Sequence, residues 1–404
     1  MFLYKYNESV HLSSALKGFI EHSFNVKRPF TINKKIVGLL GMAKRIIIAV
    51  TNDLVTDQRI GRVANTLVDD GYEVYLVGRL LPHSLPIVRP YKTKRFKLWF
   101  KKGPLFYVNY NLQLFFFLLL TPFDAVLSND LDTLLASFMA AKLKRKQLVY
   151  DSHEYFTEVP ELVGRKFQQN AWLFIEKMLL PRIDYAYTVS ESIANEYHQK
   201  YGKTFHVIRN LPVLKGAPIV TKSNAIIYQG ALNLGRGIEL MIQTMVLLPE
   251  LELWIAGGGD IEPALKQQVQ ELHLETRVKF LGRIPFSDLH AITLQARLGL
   301  TLEENLGKNY YYALPNKLFD YIQARIPVIV SNLPEMRKII EDHGVGEVLM
   351  DRNPEILAAL ILKVLSDDVK ITDLNNNLQQ AARLLCWENE KIKVTHLFNK
   401  VFNS

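Results

Sequence analysis

Short β-branched strings alternate with amphipathic stretches along the chain from Met42 onwards. In the first half, "RIIIAVT", "EVYLVG", "AVLSND", "QLVYDSH", "YAYTVS" and "FHVIRN" have the length and composition of buried strands. Residues 59–70, 133–143, 168–180 and 191–201 carry apolar residues at helical spacing. Strands that alternate with helices in this way predict a parallel sheet with helices on both faces.

This alternation is interrupted once and then starts again. The segment "NLPVLKGAPIVTKSN" has two prolines, a glycine and several polar residues, so we interpret 212–223 as a linker. Behind it, "AIIYQG", "LELWIAGG", "VKFLG", "LGLTL", "VIVS" and "GEVLM" are predicted strands, with helices at 238–247, 262–272 and 334–341 and a helical end from 354. The pattern therefore predicts an α/β protein with two doubly wound domains, 42–211 and 224–384, and a cleft between them.

The first residues differ from this pattern. Residues 1–41 show no such alternation, whereas "MAKRIIIAV" from Met42 resembles a natural start that runs into the first strand. Two interpretations stay open, an added N-terminal arm and an over-extended gene start. The N-terminus lacks the basic start, long apolar core and cleavage site of a secretory signal.

Composition and charge narrow the class of protein. With 404 residues, 49% hydrophobic and 22% charged, the chain is typical of a folded globular protein of more than one domain. Its single cysteine, Cys386, excludes an internal disulfide framework and a cysteine zinc cluster, and fits a reducing cytoplasm. The net charge of +9 favours anionic partners.

One apolar segment raises the question of membrane contact. Residues 104–123 carry no charge, but three amides and two prolines interrupt them, so we favour a buried helix. The basic and aromatic tract before it, "RPYKTKRFKLWFKK", keeps open a helix that lies in an anionic membrane surface, at the inner face of the plasma membrane. No nucleic-acid-binding module is recognisable, so we expect no nucleic acid partner.

Five strand-to-helix turns carry candidate chemistry. "YQGALNLGRGIEL" places Gly230, Gly235 and Gly237 around Arg236, and "IAGGGD" places Gly257 and Gly258 after a strand, where backbone can approach a phosphate. His153 follows the strand "QLVYDSH". Asp130 and Asp132 suit either a metal or a helix cap, and we favour the cap. In "ALPNKLFDYIQARIPVIVS", Lys317 stands in the first turn of a predicted helix, which suits an anion.

These stretches resemble the retaining glycosyltransferases of family 4, which have the GT-B fold of two facing Rossmann-like domains. "LPNKLFDYIQARIPVIVSN" is similar to the family segment ending in "EAMAxGxPVI", "YQGALNLGRGIELMI" to "GRLxxxKGxxxLI", "IAGGGD" to "xGxGP" and "VKFLG" to "VxFLG". "CWENEKIKVTHLFNKVF" is similar to the terminal segment, here 385–404, that crosses back onto the first domain.

The resemblance implies a nucleotide-sugar donor, a glycan or lipid-linked acceptor, and no cofactor or metal. Arg236 and Lys317 would face the donor diphosphate, His153 the transferred sugar, and Asp320 the ribose. It implies further donor contacts from Gly230, Gly235, Gly257, Gly258, Arg283 and Asn316, and an acceptor side formed by Asp57, Gln58 and Arg59.

The chain departs from the family at three positions. Tyr312 replaces the first Glu of the family's E-x7-E segment, Ala231 replaces a second diphosphate-binding Arg, and Arg325 replaces a Gly. Glu303 or Glu304 is then a candidate for the missing carboxylate. Two other interpretations stay open, a nucleotide-sugar epimerase and a degenerate protein that only binds nucleotide.

Overall fold

The computed structural model describes residues 43–403 except 56, 83, 160, 161, 163 and 367. Both predictions for 1–41 lie outside the described residues. In chain order the first domain contains β1 (Arg45–Asp53), α1 (Gln58–Asp69), β2 (Glu73–Arg79), β3 (Lys92–Phe96), α2 (Pro104–Leu120), β4 (Ala125–Asn129), α3 (Leu131–Lys144), β5 (Gln147–Ser152), α4 (Lys166–Leu179), β6 (Tyr185–Thr188), α5 (Glu191–Tyr201) and β7 (His206–Val207).

The seven strands of the first domain form a parallel sheet in the order β3-β2-β1-β4-β5-β6-β7. Successive side chains of β1 enter opposite cores: Ile46 and Ile48 pack with α1, and Ile47 and Ala49 pack with α2. The strand order reverses beside β1, so the crevice at the carboxyl ends of β1 and β4 is the expected place for a ligand.

The second domain begins after 210–223, which form neither helix nor strand. Its elements are β8 (Ala225–Gln229), α6 (Ile238–Thr244), β9 (Glu252–Ala256), α7 (Glu262–Glu271), β10 (Val278–Gly282), α8 (Phe286–Thr293), β11 (Leu298–Thr301), α9 (Lys308–Tyr311), α10 (Asn316–Gln323), β12 (Val328–Ser331), α11 (Pro334–His343), β13 (Gly346–Leu349), α12 (Pro354–Ser366), α13 (Asp368–Leu384) and α14 (Trp387–Asn403). The parallel sheet has the order β10-β9-β8-β11-β12-β13 and reverses beside β8. The predicted fold class, two doubly wound α/β domains, is confirmed.

The last helix, α14, lies against the first domain. Trp387, Val394, Leu397 and Phe398 are buried in the same core as β1 and α1. The indole nitrogen of Trp387 donates a hydrogen bond to Thr66 Oγ1 over 3.1 Å. The chain thus crosses between the domains at 210–223 and again before α14.

The apolar segment 104–123 forms a helix, but only part of it is buried. One face of α2 packs into the core through Phe106, Tyr110, Leu114 and Leu118, and the opposite face is exposed. The prediction of a buried helix therefore holds for one face. In the described part of the chain, no helix is both long and apolar enough to cross a membrane.

Some elements were not expected from the sequence. β3 consists of residues that read as a basic tract, and it forms the edge of its sheet, where lysines face solvent. The short helices α8 and α9 were also not predicted, since neither has the length that makes a helical period visible.

Candidate active site

A cleft with a volume of about 770 Å³ runs between the carboxyl edges of the two sheets. Nine of the residues predicted for the site line it: Asp57, Gln58, Arg59, His153, Gly230, Arg236, Asn316, Lys317 and Asp320. The remaining four, Gly235, Gly257, Gly258 and Arg283, are not among the lining residues. The cleft therefore brings the predicted donor and acceptor residues to one place.

Two cations converge on one buried carboxylate in the second domain. Lys317, in the first turn of α10, places Nζ 3.1 Å from Glu303 Oε1, and a guanidinium nitrogen of Arg236 lies 3.5 Å from the same oxygen. Glu303 follows β11 and is 1% exposed, and its second oxygen accepts a hydrogen bond from Thr301. Both cations also lie over aromatic rings, Lys317 over Tyr228 and Arg236 over Tyr310.

The two cations keep Glu303 ionised despite its burial. Burial alone would raise the pKa of Glu303, but the charges of Lys317 and Arg236 and the hydrogen bond from Thr301 hold it below its ordinary value. One negative charge between two positive charges leaves a net charge of about +1 at this wall of the cleft. Of the two candidate carboxylates, Glu303 contacts both cations, whereas Glu304 pairs with Arg352. Whether Glu303 replaces the missing family carboxylate stays a prediction.

Glycines allow the backbone turns of this wall to approach each other. Gly230 has a φ of +140°, and a Cβ there would lie 3.2 Å from Lys317 Cε. A Cβ on Gly257 would lie 1.8 Å from the carbonyl oxygen of Gly230, so only glycine fits. A Cβ on Gly258 would lie 3.0 Å from Arg283 Nε, and this exposed arginine is not among the residues that line the cleft.

Asp320 lies one turn after Lys317 on α10. Its carboxylate accepts a hydrogen bond from Gln229 Nε2 over 3.1 Å, and Lys215 Nζ is 3.9 Å away. Burial raises the pKa of Asp320 to about 6, against the charges of Lys215 and Arg62. A carboxylate at this depth is a strong acceptor for a ligand hydroxyl.

His153 is held by Asp130 at the carboxyl edge of the first sheet. Asp130 accepts from the backbone N–H of His153 over 3.2 Å, and its other oxygen lies 2.5 Å from His153 Nδ1. Burial opposes protonation, but the charge and hydrogen bond of Asp130 raise the pKa of His153 to about 10. His153 is therefore a protonated donor at neutral pH.

The capping interpretation of Asp130 is wrong. Asp130 precedes α3 with a φ of +57°, and its side chain makes no cap hydrogen bond. Its oxygens instead bind His153, and Asp132 accepts from Thr51 Oγ1 over 2.5 Å. Among the described residues, no group of three or more His, Cys, Asp or Glu side chains is arranged to hold a metal ion. The expectation that no metal is required stays a prediction.

The three predicted acceptor-side residues have different environments. Asp57 caps α1 by accepting from the N–H of Ile60, and Gln58 is exposed in the cleft. Arg59 is 5% exposed and pairs with Asp151 over 2.5 Å, which fixes it in the floor of the cleft. Burial raises the pKa of Asp151 to about 6, against the charge of Arg59.

A second cavity of about 360 Å³ adjoins His153 in the first domain. Four aromatic residues, Phe106, Tyr107, Phe156 and Trp172, line it together with three carboxylates, Asp130, Asp132 and Glu154. The rings form a continuous wall, with Trp172 centred 4.9 Å from Tyr107 and 5.1 Å from Phe156. We call this cavity the aromatic pocket. It was not predicted, since its rings come from three separate elements.

One carboxylate of the aromatic pocket has an oxygen atom that accepts no hydrogen bond from the described residues. Asp132 is 7% exposed, and its Oδ1 has no hydrogen-bond partner among the described residues. Burial, with the charge of Asp130, raises the pKa of Asp132 to about 7. An unpaired buried acceptor of this kind is costly unless a ligand satisfies it.

Two of the three departures from the family, Tyr312 and Arg325, have local explanations. Tyr312 donates a hydrogen bond from its hydroxyl to Glu196 of α5, so it joins the two domains. Arg325 adopts a φ of +55°, as the usual Gly would, and its guanidinium donates to two carbonyls at the end of α10.

Arg62, which was not predicted, also lines the cleft, and burial lowers its pKa to about 10.

Comparison with known proteins assigns each domain separately. Residues 58–211 match the family model described as Glycosyltransferase Family 4, and residues 214–385 match the model described as Glycosyl transferases group 1. An uncharacterized glycosyltransferase of Methanocaldococcus jannaschii is 26% identical over 168 residues, 41% of this chain and 42% of that protein. The match thus spans less than half the length of that relative.

Solved structures share the fold over most of the chain. Sucrose-phosphate synthase of Thermosynechococcus elongatus superposes with a TM-score of 0.74 at 18% identity, covering 89% of this chain and 99% of its own. Anabaena HepE, in complex with UDP and glucose, gives 0.68 at 14% identity, covering 88% and 100%. A glycosyltransferase of Rickettsia africae gives 0.67 at 13% identity, covering 90% and 99%.

These structural neighbours establish the GT-B architecture, and the two family models cover the chain from α1 to β7 and from β8 to α13. Each of the two domains thus matches a glycosyltransferase family model, and the chain has the GT-B fold.

Proposed function

We propose that the protein transfers a hexose-type sugar from a nucleotide-sugar donor to an acceptor hydroxyl and retains the anomeric configuration. The observation that carries this proposal is the pair of cations, Arg236 and Lys317, on buried Glu303 at the wall of the interdomain cleft. Such a preorganised positive site stabilises charge that develops on a departing diphosphate.

The donor would lie along the second domain. Its diphosphate would face Lys317 and the N-terminal amides of α10, the helix that holds Lys317 in its first turn. Asp320, one turn further on, would accept from a ribose hydroxyl. Anabaena HepE, which shares the fold, was solved with UDP and glucose, and this supports a nucleotide-sugar as the donor class.

The chemical step would then proceed at the face of His153. The bond between the anomeric carbon and the diphosphate oxygen breaks, and its electron pair stays on the diphosphate next to Arg236 and Lys317. The acceptor oxygen bonds to the anomeric carbon from the same side and gives its proton to the departing oxygen. A protonated His153 cannot remove that proton, and it donates a hydrogen bond to the transferred sugar.

The aromatic pocket is the proposed acceptor site. It adjoins His153, its rings offer apolar faces, and Asp132 and Glu154 offer acceptors for hydroxyl donors. A saccharide combines apolar C–H faces with hydroxyls, so the rings and carboxylates of this lining suit a saccharide acceptor. Such an acceptor fits a role in surface polysaccharide or glycolipid synthesis in the cytoplasm.

Product analysis with a panel of nucleotide-sugars tests the proposal. The full chain is incubated with each donor, with and without alkyl glycoside acceptors, and the anomeric protons of the product are followed by NMR. We expect acceptor-dependent transfer with the donor's configuration. Inversion would refute retention, acceptor-free isomerisation would indicate an epimerase, and binding without turnover would indicate a degenerate protein.

A further inference from the structure

Helix α2 is apolar on two opposite faces. Its inner face, formed by Phe106, Tyr110, Leu114 and Leu118, is buried in the first domain. Val108, Leu112, Phe116 and Leu120 each follow one of these residues by two positions, which is about 200° around a helix. Together with Leu105 they form the outer stripe of α2, and each of the five is more than half exposed.

Apolar exposure of this extent needs an explanation. Solitary apolar residues on a surface are ordinary, but a row of five along one helix face is a contiguous patch. The patch continues into the segment before the helix, where Trp99 is 84% exposed and Phe100 is 45% exposed. In the part of the chain that the structure describes, these side chains face solvent.

The surroundings of the outer stripe are strongly basic. Residues 89–102 contain seven Lys or Arg, and 89–123 contain no Asp or Glu. Lys97, Lys101 and Lys102 are exposed. Two hydrogen bonds fasten this segment alongside α2: the N–H of Trp99 donates to Asn109, and Gln113 donates to the carbonyl of Lys97.

Basic side chains also lie at the other end of the helix. Lys144 donates to the carbonyls of Leu118, Leu119 and Thr121, and so holds the end of α3 against the end of α2. The adjacent Lys142 and Arg145 are exposed. The outer stripe is therefore an apolar row with cations near both ends.

We propose that the outer stripe of α2 inserts into the surface of an anionic lipid bilayer, with the lysines on the phosphate headgroups. The geometry favours a helix that lies in the plane of the membrane, because its inner face already packs against the sheet. Its 17 residues are also short of a span. Charge complementarity selects an anionic membrane over an apolar protein groove.

The docked helix would carry one wall of the acceptor site. Phe106 and Tyr107 of α2 line the aromatic pocket beside His153. A saccharide that is attached to a lipid would therefore enter this pocket from the membrane on which α2 rests. This step rests on the proposed function and names the acceptor class as a lipid-linked saccharide.

Vesicle binding tests the docking surface. The full chain is sedimented with vesicles of phosphatidylglycerol and phosphatidylcholine, and with vesicles of phosphatidylcholine alone. We expect binding only to the anionic vesicles and weaker binding as salt rises from about 0.1 to about 0.5 M. Failure to bind the anionic vesicles would overturn the proposal.

Paired variants separate the stripe from general apolar exposure. Leu112→Gln with Phe116→Gln should weaken vesicle binding at least about tenfold. The matched control, Ile356→Gln with Leu362→Gln, changes two exposed residues of α12 in the second domain and should bind as the parent does. Unchanged binding by the stripe variant, or a stripe that mediates self-association instead, would refute membrane docking.

A charge variant gives an independent measurement. Lys101→Glu with Lys102→Glu leaves the apolar row intact and should still weaken binding to anionic vesicles about tenfold or more. Transfer to a soluble alkyl glycoside is measured on all variants. Loss of vesicle binding with full transfer supports the docking surface, whereas absent transfer with intact vesicle binding would refute only the proposed function.

Discussion

At the scale of single residues, the site depends on charges that hold one another in place. Glu303 keeps Arg236 and Lys317 together without a ligand, and the two cations keep Glu303 ionised. The sequence placed both cations at strand-to-helix turns, but Glu303 stood only as one of two candidates. Ion pairing between residues 67 positions apart, Arg236 and Glu303, depends on the packing of separate elements.

Arg236→Ala should lower turnover by about 100-fold or more while the protein stays folded. Lys317 still pairs with buried Glu303 in this variant, so the carboxylate keeps a partner, but one positive charge is lost from the wall that would face the leaving group. The measurement is kcat for sugar transfer. Arg337→Ala, at an exposed ion pair of the same domain, is the control and should change kcat less than about twofold. Near-parental turnover of Arg236→Ala would exclude its role.

Asp130→Asn should bring the titration of His153 back towards or below its ordinary pH range. Asp130 raises the pKa of His153 to about 10, whereas burial and the charge of Arg59 oppose protonation. Imidazole NMR signals should therefore show His153 protonated up to about pH 9 in the parent and titrating near or below pH 6.5 in the variant. Glu154→Gln, whose carboxylate is 3.7 Å from Nε2, should shift the pKa less.

The raised pKa of His153 makes the free energy of unfolding depend on pH. Folded His153 binds its proton more tightly than the unfolded chain does, so this contribution is complete below about pH 6.5. It is lost as the pH rises from there to about 10. Urea unfolding should show the parent losing stability relative to Asp130→Asn over this range. A constant difference would show that Asp130 does not control the proton.

At the scale of elements, strands and long helices were predictable because the spacing of apolar residues that marks each of them lies within one short segment of the sequence. The sequence predicted a helix with Lys317 in its first turn, and α10 runs from Asn316 to Gln323. The strand "VIVS" is β12 and the helix 191–201 is α5. By contrast, the two faces of α2 and the positive φ of Asp130 depend on neighbours that no local pattern reveals.

Gly230→Ala should impair turnover more than its effect on stability explains. Its φ of +140° disfavours alanine, and the new Cβ would lie 3.2 Å from Lys317 Cε and displace the lysine. Gly282→Ala is the matched control, with a φ of +67° and no atom within 4 Å of the new Cβ. Both should lose about 1 kcal/mol of unfolding free energy. Only Gly230→Ala should lose turnover, and equal kcat values would contradict the contact with Lys317.

Trp172→Ala should raise the KM for the acceptor and leave nucleoside diphosphate binding unchanged. Trp172 forms the wall of the aromatic pocket with Tyr107 and Phe156, away from the donor residues. Loss of one ring face should raise the acceptor KM about tenfold. Phe174→Ala, at an exposed ring of the same helix, should leave KM unchanged. A parental acceptor KM in Trp172→Ala would place the acceptor elsewhere.

At the scale of the whole molecule, side chains join the two domains around the cleft. Asn309 of α9 accepts from the N–H of Tyr155 over 3.0 Å, and Asn210 donates to Asn316 over 2.9 Å. Two domains and a cleft were predictable from the repeated strand and helix rhythm. The contacts between the domains were not, because each joins residues more than 100 positions apart.

Glu196 of α5 links the domains through two partners of the second domain. It accepts from Lys308 Nζ over 2.7 Å and from the Tyr312 hydroxyl over 2.9 Å. Tyr312 thus has an interdomain role at the position where the family has a carboxylate. Glu191 forms a comparable interdomain pair with Lys338, but the side chains of both residues are about half exposed. The less exposed contact should contribute more to holding the domains together.

Glu196→Ala should therefore favour an open arrangement of the domains, whereas Glu191→Ala should not. Lys308 and Tyr312 lose their shared acceptor in the first variant, and the Glu196 side chain that provides it is only 16% exposed. Small-angle X-ray scattering should show a larger radius of gyration, and the donor KM should rise about threefold to tenfold. Saturating nucleoside diphosphate should restore the compact form if, as proposed, it binds in the cleft between the domains. Identical scattering of Glu196→Ala and Glu191→Ala would refute the role of this contact in closure.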